Sequence, residues 1–374
     1  MKKIAILYEG LSEIGGLERV MINHYNCLKK NFNVFLGFPH INKKIVKNEM
    51  YQGLKIKKIS RFPIKNESLE IMWFCVNLFV KKLNVSLAIS HSFLMSYYCY
   101  RKKIPYVIYL HHPPNFLYPK IKKEWINSPK RFFAWMGGKI IGNWLRNLDE
   151  KCVKNAKLLF VNSNYTKKRI KSIYKKDSII IYPSKNESFK ILNIKKKDFI
   201  YSHGRIIPDK KFEYVIKAMK YLPNEKLIIS GMIKKDYETK LKHLIKKLGL
   251  KERVKILGKV SEKQLIKLYN ESKVFVLTSP HEDFGIVPIE SMSCGTPVVA
   301  WNDGAGPSET IINNINGFLA EPYSIKDLAE KIRKTMNKKW DRNKIRKTTE
   351  KFSDKIQSEM FIKEINKVIK NHNL

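Results

Sequence analysis

Short apolar runs alternate with longer amphipathic segments along the chain. Typical pairs are Ile4–Tyr8 with Glu18–Lys30 in the first half and Lys226–Ser230 with Asp236–Lys247 in the second. Apolar runs of this length indicate buried strands, and the amphipathic segments between them indicate crossover helices. We predict strands at Ile4–Tyr8, Val34–Gly37, Leu87–Ser90, Tyr106–Leu110, Leu158–Asn162, Phe199–His203, Lys226–Ser230, Val254–Leu257, Val274–Leu277 and Val298–Ala300. The alternation therefore predicts parallel sheets covered by helices. With 44% hydrophobic residues and 17 Gly, the chain is neither disordered nor collagen-like.

The length of 374 residues suits two domains, each with its own core. A polar stretch that contains Pro183, Tyr182–Lys197, interrupts the alternation and predicts a linker. We expect an N-terminal Rossmann-like domain over 1–185 and a C-terminal Rossmann-like domain over 186–352. The final segment, 353–374, has an apolar stripe at helical spacing and is predicted to be a helix that packs back onto the body.

The chain is strongly basic, with 73 Lys and Arg against 33 Asp and Glu and a formal net charge of +40. Residues 1–185 hold 35 of these cations and only 10 of the acids. Such a field attracts phosphates, anionic lipid headgroups and nucleic acids alike. A basic nucleic-acid-binding protein is therefore one alternative, although no zinc finger, recognition helix or stacking-sheet motif supports it.

Two apolar segments bear on localisation. The longest apolar run, Ile71–Val80, is well short of the roughly 20 residues that span a bilayer, and the run Ile4–Leu7 is too short for a signal peptide. Five cysteines without a Cys-x-x-Cys pair support neither a disulfide framework nor a thiolate zinc site. We expect a cytoplasmic protein, and the aromatic, cationic segment Arg131–Arg146 adds the alternative of an interfacial helix at the inner face of the membrane.

The densest chemical signal is the segment Thr278–Glu290, which follows a predicted strand. Glu282 and Glu290 are eight residues apart, one in a loop and one in a predicted first helical turn. They can present acceptors to hydroxyls on either side of a bound diphosphate, while the backbone N–H of Gly285 meets a phosphate. This arrangement suits a nucleotide sugar, which carries hydroxyl-rich rings at both ends.

A cationic pair follows the first predicted strand of the second half. Arg205 and Lys210 lie between the strand Phe199–His203 and the helix predicted from Phe212. Because ligands of open parallel sheets bind beyond the carboxyl ends of the strands, these two cations are placed to clamp a diphosphate.

Candidate residues in the first half also follow strands. Gly15 and Gly16 open a helix, where the backbone can approach an anion closely. His91 and the pair His111 and His112 lie at the ends of two further strands. Adjacent strand residues point to opposite faces, so joint metal ligation by the pair is not expected. His111 is the site candidate, and His112 is expected to be an orienting or structural residue. No Asp-x-Asp motif suggests a metal site.

Taken in order, these motifs resemble the retaining glycosyltransferases of family 4, also called glycosyl transferases group 1. The resemblance rests on five motifs: Gly15-Gly16-x-Glu18, Gly204-Arg205 with Lys210, Glu282-x7-Glu290, Cys294-Gly295-Thr296-Pro297-Val298-Val299-Ala300 and Gly306-Pro307-x-Glu309-Thr310. The stretch His111–Tyr118 is similar to the mannosyltransferase-like branch. The sequence departs from that branch at His112 and Asn115, where Thr and Arg are usual, and at Tyr182–Asn186, where Tyr-Pro-Pro-Val-Asp is usual. Lys211 also lies where the family usually has Gly.

The resemblance implies an α/β protein with the GT-B fold, in which two Rossmann-like doubly wound parallel-sheet domains face an interdomain cleft. It implies a retaining enzyme that moves a hexose of the mannose or glucose type from a nucleotide-diphosphate sugar to a glycan or lipid-linked acceptor, in cell-surface polysaccharide or glycolipid synthesis. A GDP- or UDP-sugar is the expected donor, without a metal ion. A sugar-nucleotide epimerase on the same fold remains an alternative.

The resemblance also assigns roles to residues. The implied catalytic set places Arg205 and Lys210 on the donor phosphates, Glu282 on the donor-sugar hydroxyls and His111 at the reaction centre. The implied donor-binding set is Gly15, Gly16, Arg205, Lys210, Phe284, Gly285, Ile286 and Glu290, with Glu290 on the ribose. The acceptor side comprises Glu18, His91 and His112. The basic N-terminal domain is the expected contact to an anionic membrane surface, and no specific nucleic-acid partner is expected.

Overall fold

A computed structural model describes residues 1–11, 15–60, 80–115, 117–118 and 142–374. The chain divides into two compact units. The first consists of Met1–Ser184 together with Lys355–Leu374, and the second of Lys185–Asp354. Most of the apolar run Ile71–Val80 and of the predicted interfacial segment Arg131–Arg146 lies outside the described residues.

The first unit is built on a parallel sheet. Its strands are β1 (Lys3–Leu7), β2 (Gly10–Leu11), β3 (Asn33–Phe38), β4 (His40–Ile41), β5 (Ile56–Lys58), β6 (Leu87–Ser90), β7 (Tyr106–Leu110), β8 (Leu159–Val161) and β9 (Ile179–Ile180). In the described residues seven of them form one sheet in the order β5-β3-β1-β6-β7-β8-β9, and β2 pairs with β4. The helices are α1 (Gly16–Leu28), α2 (Lys43–Val46), α3 (Phe93–Arg101), α4 (Gly142–Asn155) and α5 (Asn164–Tyr174).

The C-terminal helix (Asp354–Asn371) completes the core of the first unit. Its Phe361 and Ile365 are buried in the same hydrophobic cluster as Ile4 and Ile6 of β1. Each such side chain contributes about 1.5–3 kcal/mol on burial. The last helix of the sequence is therefore a structural part of the first unit.

The second unit contains another parallel sheet. Its strands are β10 (Lys197–His203), β11 (Lys226–Ser230), β12 (Val254–Gly258), β13 (Ser272–Val276), β14 (Val298–Trp301) and β15 (Gly317–Ala320), in the order β12-β11-β10-β13-β14-β15. Its helices are α6 (Glu213–Ala218), α7 (Lys235–Lys247), α8 (Glu262–Glu271), α9 (Ile286–Ser293), α10 (Gly306–Thr310), α11 (Ile325–Asn337) and α12 (Arg342–Lys347). A hydrophobic cluster that includes Ile200, Val274 and Leu328 packs helices against the sheet.

Both sheets reverse their strand order once. In the first the reversal lies between β1 and β6, where Leu7 pairs with Ser90; in the second it lies between β10 and β13, where Tyr201 pairs with Phe275. This is the doubly wound arrangement, so the predicted fold class is confirmed for each unit. In such sheets ligands bind beyond the carboxyl ends of the strands at the reversal.

The strands predicted from apolar runs are all present, with ends that differ by one or two residues at most. The sequence analysis missed β5, β9 and β15, which lie at sheet edges, and β2 and β4, which form a two-stranded sheet. The strands β5 and β9 are short and partly exposed, and β5 ends in Lys57 and Lys58, so it shows no apolar run. In the part of the chain that the structure describes, no helix has both the length and the apolarity needed to cross a membrane.

Candidate functional site

The carboxyl ends of β10 and β11 approach each other closely in the second unit. A Cβ atom on Gly231 would lie 1.7 Å from the carbonyl oxygen of Gly204, and both glycines have positive φ values. The ring nitrogen Nδ1 of His203 is 2.8 Å from Oγ of Ser230. This tight packing requires glycine at 231 and directs the chain into the loop that carries Arg205.

The reversal point of the second sheet brings Lys210 and Glu282 together. Lys210 ends a short 3₁₀ turn after β10, and its Nζ is 2.5 Å from Oε2 of Glu282, which follows β13. The two side chains are 25% and 22% exposed. Oγ1 of Thr278 also donates to the carbonyl oxygen of Lys210 at 3.2 Å. Two predicted catalytic residues thus form an accessible ion pair, and Arg205 is exposed earlier in the same loop.

The loop that carries Glu282 is held in place by Gly306 at the start of α10. The N–H of Gly306 donates to the carbonyl oxygen of Glu282 at 2.8 Å, and a Cβ atom on Gly306 would lie 2.4 Å from Cα of Phe284. Gly285, with φ of +82°, caps α9, which begins at Ile286. The predicted donor-binding residues 284–286 therefore form the strand-to-helix turn itself, with Phe284 buried.

Glu290 lies buried in α9 and is oriented by a tyrosine. The hydroxyl of Tyr269 in α8 donates to Oε2 of Glu290 at 3.1 Å. Burial, and then the negative charge of Glu290, raise the pKa of Tyr269 well above its ordinary value, so the hydroxyl stays protonated. Burial and then Glu290 also raise the pKa of Cys294 to about 12. The sequence analysis missed Tyr269, because a tyrosine on an amphipathic helix carries no motif.

A second supporting cluster holds His281, next to Glu282. Its backbone N–H donates to Oδ2 of Asp303 at 2.7 Å, and its Nε2 is 3.0 Å from the hydroxyl of Tyr323. Asp303 and Tyr323 come from loops later in the chain, so no local pattern could have revealed them. The cluster fixes the backbone immediately before the Lys210–Glu282 pair.

In the first unit, Glu18 is part of the start of α1. Its Oε2 accepts a hydrogen bond from the backbone N–H of Gly15 at 2.9 Å, and its side chain is buried. Gly16 is the first residue of the helix. The preceding loop residues 12–14 are outside the described residues. Glu18 therefore stabilises the helix N-terminus at which an anion was predicted to bind.

Three histidines lie in a row, one on α1 and two just beyond the ends of β6 and β7. His91 Nδ1 is 3.0 Å from His111 Nε2, and His91 Nε2 is 3.4 Å from Nδ1 of His24 on α1. We call this group the histidine chain. His112 is exposed, and its Nδ1 contacts the carbonyl oxygen of Pro113 at 2.9 Å. The sequence analysis did not select His24, because a lone histidine on a buried helix face gives no functional signal.

Burial determines the charge of the histidine chain. The pKa of His24 is lowered to about 3 by burial and then by His111. The pKa values of His91 and His111 are also lowered well below the ordinary range, again mainly by burial. All three rings are therefore neutral at pH 7. Within the described parts of the chain, no group of three or more His, Cys, Asp or Glu has an arrangement that could hold a metal ion.

This architecture is similar to that of solved glycosyltransferase structures. A structure of HepE from Anabaena in complex with UDP-glucose has a TM-score of 0.72, at 18% identity, over 98% of this chain and 100% of that one. At this identity the likeness shows the fold alone, which is the GT-B fold of glycosyltransferases. Residues 186–352 match the family described as glycosyl transferases group 1.

Nearly all of the second unit therefore matches the glycosyl transferases group 1 family, which confirms the predicted resemblance to that family. An uncharacterized glycosyltransferase of Methanocaldococcus jannaschii is 29% identical over 57% of this chain and 59% of its own length. The O-antigen chain mannosyltransferase RfbU of Salmonella typhimurium is 32% identical over 42% of this chain and 45% of its own length. The chain thus spans between two fifths and three fifths of these two relatives.

Proposed function

We propose that this protein is a retaining glycosyltransferase that moves a hexose of the mannose or glucose type from a UDP- or GDP-sugar to a glycan or lipid-linked acceptor. The observation that carries the proposal is the Lys210–Glu282 ion pair at the strand reversal of a unit that matches the family. Cation and carboxylate meet there beside Gly285 and the oriented carboxylate of Glu290.

The ion pair has the chemistry that a nucleotide-sugar site needs. In the ion pair, Glu282 neutralises Lys210. A diphosphate carries more negative charge than one carboxylate, so Lys210 is expected to exchange Glu282 for phosphate oxygens. Glu282 then accepts hydrogen bonds from the sugar hydroxyls, Arg205 joins Lys210 on the phosphates, and Glu290 accepts from the ribose.

Transfer then depends on charge stabilisation. When the bond between the sugar and the phosphate breaks, negative charge grows on the departing diphosphate, and Arg205 and Lys210 stabilise it. We infer that the acceptor hydroxyl attacks from the same face and passes its proton to the departing phosphate oxygen, which retains the anomeric configuration. The resemblance assigns His111 to this reaction centre, and we expect transfer without a metal ion.

The proposed setting is the inner face of the cell membrane, in synthesis of cell-surface polysaccharide or glycolipid. Support comes from the excess of Lys and Arg in residues 1–185 and from the relative named as an O-antigen chain mannosyltransferase. Anionic lipids attract such a surface by about 1 kcal/mol per cation close to the membrane.

A donor-binding panel tests the proposal. UDP, GDP, ADP and TDP, each alone and as a hexose derivative, are compared by thermal shift with and without a chelator, and release of free nucleotide is followed in parallel. We expect one nucleotide class to raise Tm by a few degrees in both conditions. Glu290→Gln keeps the shape of the side chain but removes its charge, and it should weaken binding about tenfold.

The control is Glu271→Gln, which removes a carboxylate paired with Lys197 Nζ at 2.7 Å in the same unit. It should leave donor binding unchanged. Equal small shifts with every polyanion, lost at high salt, would contradict the proposal and favour a general polyanion-binding protein.

A further inference from the structure

The histidine chain of the first unit links a buried helix to the end of β7. His24 and His91 are 5% and 4% exposed, whereas His111 keeps part of its surface in solvent. We propose that His24 and His91 are positioning residues that hold His111 in a single orientation and a single tautomer for the transfer reaction. The proposal rests on the proposed function only in placing His111 at the reaction centre.

Packing prevents the rings from turning. The ring of Tyr109 lies between 4.8 and 5.4 Å from the three imidazole rings, centroid to centroid, and its hydroxyl donates to the carbonyl oxygen of Ile181 at 2.7 Å. Phe361 of the C-terminal helix stacks on His24 at 3.9 Å with an interplanar angle of 15°. The C-terminal helix therefore holds His24, the buried end of the histidine chain, in place.

The two nitrogen contacts couple the tautomers of the three rings. A neutral imidazole has one N–H donor and one acceptor nitrogen. If His24 donates from Nδ1 to Nε2 of His91, then His91 must donate from Nδ1 to Nε2 of His111. His111 then carries its proton on Nδ1. The reverse direction puts every proton on Nε2. A mixed arrangement would place two donors or two acceptors face to face, so all three rings must share one tautomer.

The coupling determines what His111 offers to a ligand. Its Nε2 is committed to His91, so Nδ1 is the ring nitrogen that a sugar or acceptor hydroxyl would meet. Whether Nδ1 donates or accepts follows from the proton position on His24. A single histidine in solvent exchanges tautomers freely. The three rings of the histidine chain have only two joint states, with every proton on Nδ1 or every proton on Nε2.

Nitrogen NMR of protein labelled with ¹⁵N-histidine tests the coupling directly, because ring shifts distinguish the two tautomers and the imidazolium. Resonances are assigned with single-histidine variants. We expect His24, His91 and His111 to be neutral at pH 7 and to share one tautomer. His91→Phe should leave the His111 ring as a mixture of tautomers. It should lower kcat at least tenfold, with KM for the donor within twofold.

Two further variants separate positioning from packing. The amide of Asn reaches the place of Nδ1 of His91, so His91→Asn should restore most of kcat and a single His111 tautomer. Tyr109→Phe removes a hydroxyl from the same cluster without touching the nitrogen contacts, and it should change stability but neither kcat nor the ring shifts.

The proposal would be overturned if His24, His91 and His111 of the wild-type protein did not share one tautomer, or if any of these three rings were an imidazolium at pH 7. So would His91→Phe with unchanged kcat and unchanged His111 shifts. If no nucleotide sugar binds, the proposed function fails, yet the NMR measurement still decides whether the three rings are coupled.

Discussion

The two units share one sheet topology but place opposite kinds of side chain beyond the strand reversal. The second unit presents a charged, part-exposed pair, Lys210 and Glu282. The first unit presents the neutral histidine chain, with His24 and His91 buried. The more basic half of the chain therefore has the uncharged candidate site. The topology determines where a site forms, while the side chains after each strand determine its chemistry.

Acid should produce the largest difference in stability between the two units. His24 has a folded pKa of about 3 against an ordinary value of 6.5. Below pH 6.5 the unfolded chain binds a proton that the folded chain excludes. The contribution of neutral His24 to the free energy of unfolding is thus complete above pH 6.5 and is lost as the pH falls towards 3. This loss amounts to up to about 5 kcal/mol from His24 alone. Hydrogen exchange during urea unfolding at pH 7.5, 6 and 4.5 should show the first unit losing protection first.

The control for the acid experiment is His24→Phe, which keeps an aromatic ring against Phe361 but cannot bind a proton. This variant should show a flatter pH dependence in the first unit. Loss of protection in the second unit before the first would contradict the comparison.

Charge removal should affect catalysis only at the reversal of the second sheet. We expect Lys210→Ala to lower kcat for transfer about 10²–10³-fold, because a cation that stabilises the departing diphosphate is lost. Lys197→Ala removes the same charge at the opposite end of β10, where Lys197 pairs with Glu271. Steady-state kinetics should show no more than a twofold change for this variant. Equal losses in both would mean that net charge, rather than the site, supports activity.

The third prediction concerns the buried carboxylate of Asp149 in the first unit. The hydroxyl of Tyr174 donates to Oδ2 of Asp149 at 2.6 Å, and burial raises the pKa of Asp149 to about 6 against the lowering effect of this bond. At pH 7.5 the carboxylate is ionised, so Tyr174→Phe should cost about 2 kcal/mol in urea unfolding. At pH 5 Asp149 is protonated and the cost should be smaller.

The matched variant is Tyr98→Phe, which removes a hydroxyl that donates to the neutral carbonyl oxygen of Lys81 at 2.8 Å. Its cost should be about 1 kcal/mol and independent of pH between 5 and 7.5. A pH dependence equal to that of Tyr174→Phe would show that Asp149 is not the origin of the effect.

The smallest expected effect concerns two lysines in left-handed backbone. Lys211 has φ of +49° in the site loop, and Lys175 has φ of +54° at the end of α5. Replacing either by Gly relieves strain but loosens the unfolded chain, for a net gain of about 0.5–1 kcal/mol. Thermal unfolding should show a similar gain in both. A gain for Lys175→Gly alone would indicate that the Lys211 side chain stabilises the site loop.

Local pattern was sufficient for most of the architecture. Central strands such as Leu87–Ser90 and Tyr106–Leu110 were predicted with the observed ends, because burial on both faces requires a continuous apolar run. The residues after β13 were likewise visible, since Glu282 and Glu290 flank a glycine at a helix start. The edge strands β5 and β9 were missed because exposure on one side relaxes that requirement.

The sequence by itself determined the two doubly wound units and the residues that follow their strands, because burial and turn geometry act over a few neighbours. Only the tertiary structure decided which of those residues meet. Lys210 and Glu282 are 72 positions apart, and His24 and His91 are 67 apart. Their contacts depend on the order in which strands join the sheet and on a final helix that returns to the first unit. These are long-range arrangements, and no local pattern records them.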